Sequence, residues 1–133
     1  MRPSMRFSGP VLGSPDPIRL AEFYEKLMGW PIVEREGEAP GEEGWALIRN
    51  AEARLKLEFQ YEPFHRPAVW PPIEGEQQMQ IHLDIAASDL DAAVALALEA
   101  GASLASYQPQ DDVRVMTDPD GHVFCLFADP LQS

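Results

Sequence analysis

Two aspartates, Asp16 and Asp89, each stand between a strand-like run and an amphipathic stretch that a glycine ends, Gly29 in one case and Gly101 in the other. Such a repeat limits the possible folds more than composition does, because each copy must be a supersecondary unit with a face to bury. In the first copy "FSGPVLGS" is a short strand candidate interrupted by Pro10, and "SPDP" offers Asp16 as N-cap with Pro17 at the first helical position. Leu20, Phe23, Tyr24, Leu27 and Met28 recur at helical spacing. The pattern predicts a helix over 17–28, closed by Gly29 in the left-handed position. "WPIVERE", "GWALIRN" and "RLKLEFQY" follow as three strand candidates, with an acidic Gly/Pro-containing loop at 36–44 that is expected to be mobile.

The second copy repeats the order. "MQIHLDIA" alternates as a strand, and Ser88 with Asp91 three residues on predicts a capping-box-like helix start. Leu90, Ala93, Val94, Ala97 and Leu98 form the apolar stripe of a helix ending before Gly101, and "ASLASYQ", "VRVMTD" and "HVFCLFA" supply three more strands. Both copies read β-α-β-β-β, so the fold class is α+β. One domain over 1–133 is expected: module 1 at about 5–60, a proline-rich connector at 61–78 and module 2 at 79–129. Four prolines break any regular element in the connector. Its aromatics Tyr61, Phe64 and Trp70 are expected to fold back over apolar surface.

A hydrophobic fraction of 45% in 133 residues suffices for one core, and the single cysteine, Cys125, excludes an internal disulfide. The first residues lack the apolar core of a signal peptide and no stretch reaches the roughly 18 apolar residues of a membrane span, which predicts a cytoplasmic protein with no membrane partner. With 22 acids against 10 bases the formal charge is −12, which repels phosphate backbones and argues against nucleic acid as a partner.

Successive strand residues point to opposite faces, so Leu55, Leu57 and Phe59 oppose Lys56, Glu58 and Gln60, and Ile81, Leu83 and Ile85 oppose Gln80, His82 and Asp84. The apolar faces suit the helices. The polar faces are then free to meet a ligand.

The segments "DPIRLAEFYEKLMGW", "QIHLDI", "LDAAVALALEAGA" and "DPDGHVFCLF" resemble the vicinal oxygen chelate superfamily, which holds glyoxalase I, extradiol dioxygenases and bleomycin and fosfomycin resistance proteins, and within it the glyoxalase-like group. The resemblance covers nearly the whole chain. It implies two tandem βαβββ modules whose curved sheets form an open barrel around a cavity, often completed by a second chain as a homodimer.

Members that are enzymes hold a divalent ion with His, Glu or Gln from four strand positions. Carried onto this chain, those positions are Gly9, Glu58 (with Gln60 as the alternative register), His82 and Cys125. Gly9 lies seven residues before Asp16 as His82 lies seven before Asp89, and glycine has no donor. A lone thiolate is a soft ligand, poorly matched to Mn, Fe or Mg, so no cofactor is favoured; a divalent metal, if present, falls to Glu58, His82 and Cys125. A Cys125–His82 nucleophile pair lacks an orienting acid in this reading. His65 and His122 are expected to be solvated.

The favoured function is metal-free small-molecule binding of the drug-sequestering resistance type, with a pocket of Gly9, Trp45, Glu58, Gln60, Trp70, His82, Asp84 and Cys125. Trp45 and Trp70 suit a planar cationic ligand offset by acids. Whether the protein is an enzyme stays open, with no catalytic residue assigned. The first alternative is a metal-dependent lyase, isomerase or dioxygenase acting on vicinal oxygens. The second is a degenerate module used for dimerisation or partner docking.

Overall fold

A computed structural model describes residues 1–39 and 42–129. Of the loop 36–44, Pro40 and Gly41 lie outside the described residues. The chain divides into two compact units, Met1–His65 and Arg66–Ser133, the boundary falling within the connector.

The first unit runs β1 (Val11–Ser14), α1 (Pro17–Met28), β2 (Ile32–Glu36), β3 (Trp45–Asn50) and β4 (Leu55–Tyr61); the second runs β5 (Leu83–Ala87), α2 (Leu90–Ala100), β6 (Ser103–Leu104), β7 (Val113–Thr117) and β8 (Val123–Ala128). Each is βαβββ. The sheets have orders β1-β4-β3-β2 and β5-β8-β7-β6, with β1 parallel to β4, β5 parallel to β8 and the other pairs antiparallel. A parallel pair needs a crossover, and in each unit the helix lies in the excursion that carries the chain from the first strand towards its partner. Each four-stranded sheet is open, with two edges, rather than closed on itself.

Helix α1 forms where its caps predict. The Asp16 carboxylate accepts the Arg19 N–H, Pro17 occupies the first turn, and Gly29 at φ +70° donates its N–H to the Glu25 carbonyl. Its buried face is Pro17, Leu20, Ala21, Phe23 and Tyr24, while Leu27 and Met28 in the last turn are half-buried. Tyr24 stacks on Phe59 of β4 with ring centroids 5.7 Å apart, and both residues are fully buried. Leu57 joins them in the core. Leu55, at the first strand position beside the 51–54 turn, remains 54% exposed, against the expectation for that face.

Helix α2 starts one residue later than the Ser88 reading predicts. Asp89 is the N-cap, its carboxylate accepting the Ala92 N–H, and Asp91 sits in the first turn where a negative charge complements the helix dipole. Asp89 repeats Asp16, each reaching the N–H three residues on. Of the predicted stripe only Ala97 is buried, and Leu98 is 46% exposed.

Three strands fall well short of their predicted lengths. The first begins at Val11: Pro10 has no N–H to give a ladder, and Gly9 stands before the strand at φ +141°. Strand β5 begins at Leu83, whose partner is Phe124, one residue inside the start of β8, so its ladder has nearly run out at His82 and Ile81 is left 69% exposed. In "ASLASYQ" only Ser103–Leu104 pairs with β7. Beyond it the Gln108 side-chain amide replaces the missing strand, accepting the Val115 N–H at 2.8 Å and donating to the Val115 carbonyl at 2.9 Å. Phe64 of the connector is 91% exposed and does not fold back.

The "DPDG" turn carries a buried charge. The Asp118 Oδ1 accepts the N–H groups of Asp120 and His122, and its Oδ2 lies 2.8 Å from Nδ1 of His122. The expectation of a solvated His122 fails on this contact, which leaves the imidazole 16% exposed.

Candidate functional site

In the first unit, Lys56 and Glu58 share one face of β4, and the Lys56 ammonium donates to Glu58 Oε1 at 2.7 Å. Their side chains are 22% and 23% exposed, so the pair is only partly screened by water. Gln60 continues this face, donating to Glu62 Oε1 and standing across the ladder from Trp45, which is half-buried. Gly9 is where the N-terminal segment meets β4. A Cβ there meets the Lys56 carbonyl oxygen at 3.0 Å and its Cγ at 3.2 Å, so the missing side chain permits a close approach and leaves no donor.

In the second unit, Asp84 and Cys125 are register partners across the parallel β5–β8 pair, which sets their side chains on one face. His82 precedes β5 by one residue, and its Nε2 lies 3.1 Å from Asp84 Oδ1. One ligand atom from each of His82, Asp84 and Cys125 lies within 4.8 Å of the other two. A carboxylate that the sequence reading did not place beside His82, that of Asp84, therefore stands next to it. Cys125 is half-buried; burial first, and the Asp84 charge second, raise its thiol pKa above the ordinary value. A protonated thiol is a weak nucleophile. Trp70 is committed to its own unit, its indole N–H donating to the Tyr107 carbonyl at 3.2 Å and its ring lying against Tyr107. His65 is half-buried with its backbone N–H bonded to the Glu62 carbonyl.

The sequence model of the glyoxalase-like domain family matches residues 10–127. The chain belongs to the glyoxalase-like domain family. This places it in the vicinal oxygen chelate superfamily. No curated protein matches it. Solved structures similar to this glyoxalase-like domain include a glyoxalase family protein from Enterococcus faecalis, at 15% identity with a TM-score of 0.63, covering 92% of this chain and 96% of that one. A glyoxalase/bleomycin resistance protein from Albidiferax ferrireducens is 21% identical with a TM-score of 0.60, covering 93% and 98%. An antibiotic binding protein from a Streptomyces species is 17% identical with a TM-score of 0.58, covering 96% and 98%. Identities this low establish a common fold and nothing narrower.

Against the superfamily's divalent site, the first-module positions fit poorly: Gly9 carries no donor and the Glu58 carboxylate already holds the Lys56 ammonium. Among the described residues, the donors that converge belong to the second module. An imidazole nitrogen, a carboxylate oxygen and a thiol sulfur form a set suited to zinc, not to Mg or Mn.

Proposed function

We propose that this glyoxalase-like domain binds a small organic molecule and holds it by shape, hydrogen bonds and charge, without a divalent ion chelating the ligand. The observation that carries the reading is the Lys56–Glu58 pair: at 2.7 Å it satisfies the one first-module carboxylate that the superfamily pattern offers a metal. The sequestering type of function also agrees with the similarity to an antibiotic binding protein. In the first unit, Trp45 and Gln60 supply flat apolar surface and a hydrogen-bonding group on neighbouring strands.

A thermal-shift screen in chelator tests this. A ligand that binds only the folded state at a hundredfold excess over Kd stabilises by about 2.7 kcal/mol, a rise of roughly 10 °C for a domain of this size. The expected result is a saturable rise, unchanged by chelator, from protein free of bound metal. Loss of the rise on chelation, with recovery on adding metal, overturns the reading.

One observation favours a second reading, a metal-assisted reaction: the convergence of His82, Asp84 and Cys125. It predicts near-stoichiometric zinc in protein purified without chelator, lost in His82→Ala. A homodimer, proposed for either reading, is checked by sizing chromatography with light scattering.

A further inference from the structure

The chain is strongly acidic, yet it gathers four of its ten Lys and Arg residues round one groove of the first unit: Arg6, Arg49, Arg54 and Lys56. Among the described residues no carboxylate lines it. The groove has a volume of about 550 Å³, within the roughly 300–1,000 Å³ typical of small-molecule sites.

Arg49 and Lys56 are direct cross-strand partners on β3 and β4, an arrangement in which like charges repel and destabilise the sheet. The Lys56 ammonium is offset by Glu58, but among the described residues Arg6, Arg49 and Arg54 have no ion pair with a carboxylate. Arg54 adds a local cost. It is the non-glycine residue with positive φ, at +57°, among those described, in a turn where the Asn50 side chain accepts the Ala53 N–H. Repulsion and a strained backbone persist at one place when something there is gained by them.

Two apolar side chains complete the groove, Phe7 at 87% exposed and Leu55 at 54%. Phe7 and Arg6 are brought there by the close approach of Gly9 to Lys56, in which the glycine backbone fits where a Cβ is crowded. Guanidinium groups bind carboxylate and phosphate oxygens in a bidentate fork, and an aromatic ring beside them takes a flat apolar body. A polyanion such as nucleic acid meets the repulsion of the remaining surface, whereas a small anion meets only the groove.

We infer that the groove formed by Arg6, Arg49, Arg54 and Lys56, with Phe7 and Leu55, binds a small amphipathic oxyanion, a carboxylate or phosphate joined to an aromatic body. This goes beyond the ligand-binding reading while resting on it, since the groove is lined by other residues and the charge it selects is opposite to the one that the acidic composition suggests. The carboxylate and the phosphate share the same recognition, so the two are separated by measurement.

The test is calorimetric titration of the full chain with four probes of one shape: naphthoate, naphthyl phosphate, naphthylmethylammonium and naphthylmethanol. The two anions are expected to bind at least about tenfold more tightly than the alcohol, a difference of about 1.4 kcal/mol. Their affinity should fall as salt is raised. Preference for the carboxylate over the phosphate, or the reverse, identifies the ligand's head group. Arg49→Glu replaces a repulsive cross-strand pair by an attractive one, so it is expected to keep or raise the melting temperature while losing at least tenfold of the anion affinity. Arg54→Gln provides an independent loss of affinity away from that pair. Tighter binding of the ammonium or the alcohol overturns the inference about charge and leaves the ligand-binding reading standing. Binding of no probe, in a protein that also fails the wider thermal-shift screen, overturns both.

Discussion

Asp84 and Cys125 face each other across the parallel β5–β8 ladder, a carboxylate beside a half-buried thiol, with the His82 imidazole completing a cluster of donor atoms within 4.8 Å. The loss of water, and after it the negative charge of Asp84, favour the protonated thiol. The thiolate fraction at any pH below the raised pKa is therefore smaller than for an ordinary cysteine.

In chelator-treated protein, Cys125 is expected to react slowly with a disulfide reagent near neutral pH, the rate rising only in alkaline solution. Asp84→Asn removes the second cause and leaves burial, so the midpoint of the pH–rate profile should move down and the neutral-pH rate up. A midpoint that stays put or moves upward in Asp84→Asn contradicts the electrostatic account.

The two helix caps are directly comparable. Asp89→Ala should destabilise by about 1 kcal/mol, as should Asp16→Ala, because each removes a carboxylate that accepts an N–H three residues on. Ser88→Ala should be nearly silent. Urea denaturation of the three variants decides it, and a larger loss in Ser88→Ala than in Asp89→Ala returns the cap to Ser88.

Asp118→Ala deprives the Asp120 and His122 N–H groups of their acceptor and the His122 ring of its carboxylate, all within a turn where Asp118 is 4% exposed. A loss of about 2 kcal/mol or more is expected. A change below about 0.5 kcal/mol, the scatter of ordinary surface substitutions, shows that water replaces these bonds without cost.

Phe59→Ala empties a fully buried site against Tyr24 and should cost about 3–5 kcal/mol by equilibrium unfolding. Since the ring ties α1 to β4, chymotryptic cleavage within 17–28 is expected to quicken in step with the loss of stability. A cost under about 1 kcal/mol means that the site collapses round the missing ring.

How far the sequence could be read followed the range of the forces involved. The bounds of α1 were legible to the residue because Asp16, Pro17 and Gly29 act within one turn of themselves. The start of α2 was misread through Ser88, although the repeat that pairs Asp16 with Asp89 already contained the right cap. The short β6 was beyond reach, since nothing in "ASLASYQ" shows that the Gln108 amide takes the strand's place on Val115. The exposure of Ile81 and Leu98 was likewise hidden, because an apolar stripe shows which face can be buried and not whether a partner covers it.

The amino-acid order by itself determined the doubled βαβββ plan, the two capped helices and the side of β4 on which Lys56 and Glu58 fall, all set by neighbours a few residues apart. Tertiary structure alone decided that Asp84 lies beside Cys125 and that Arg49 meets Lys56 near Arg54 and Arg6. Those relationships depend on the register of strands distant in sequence, and a shift of one residue turns every side chain to the opposite face.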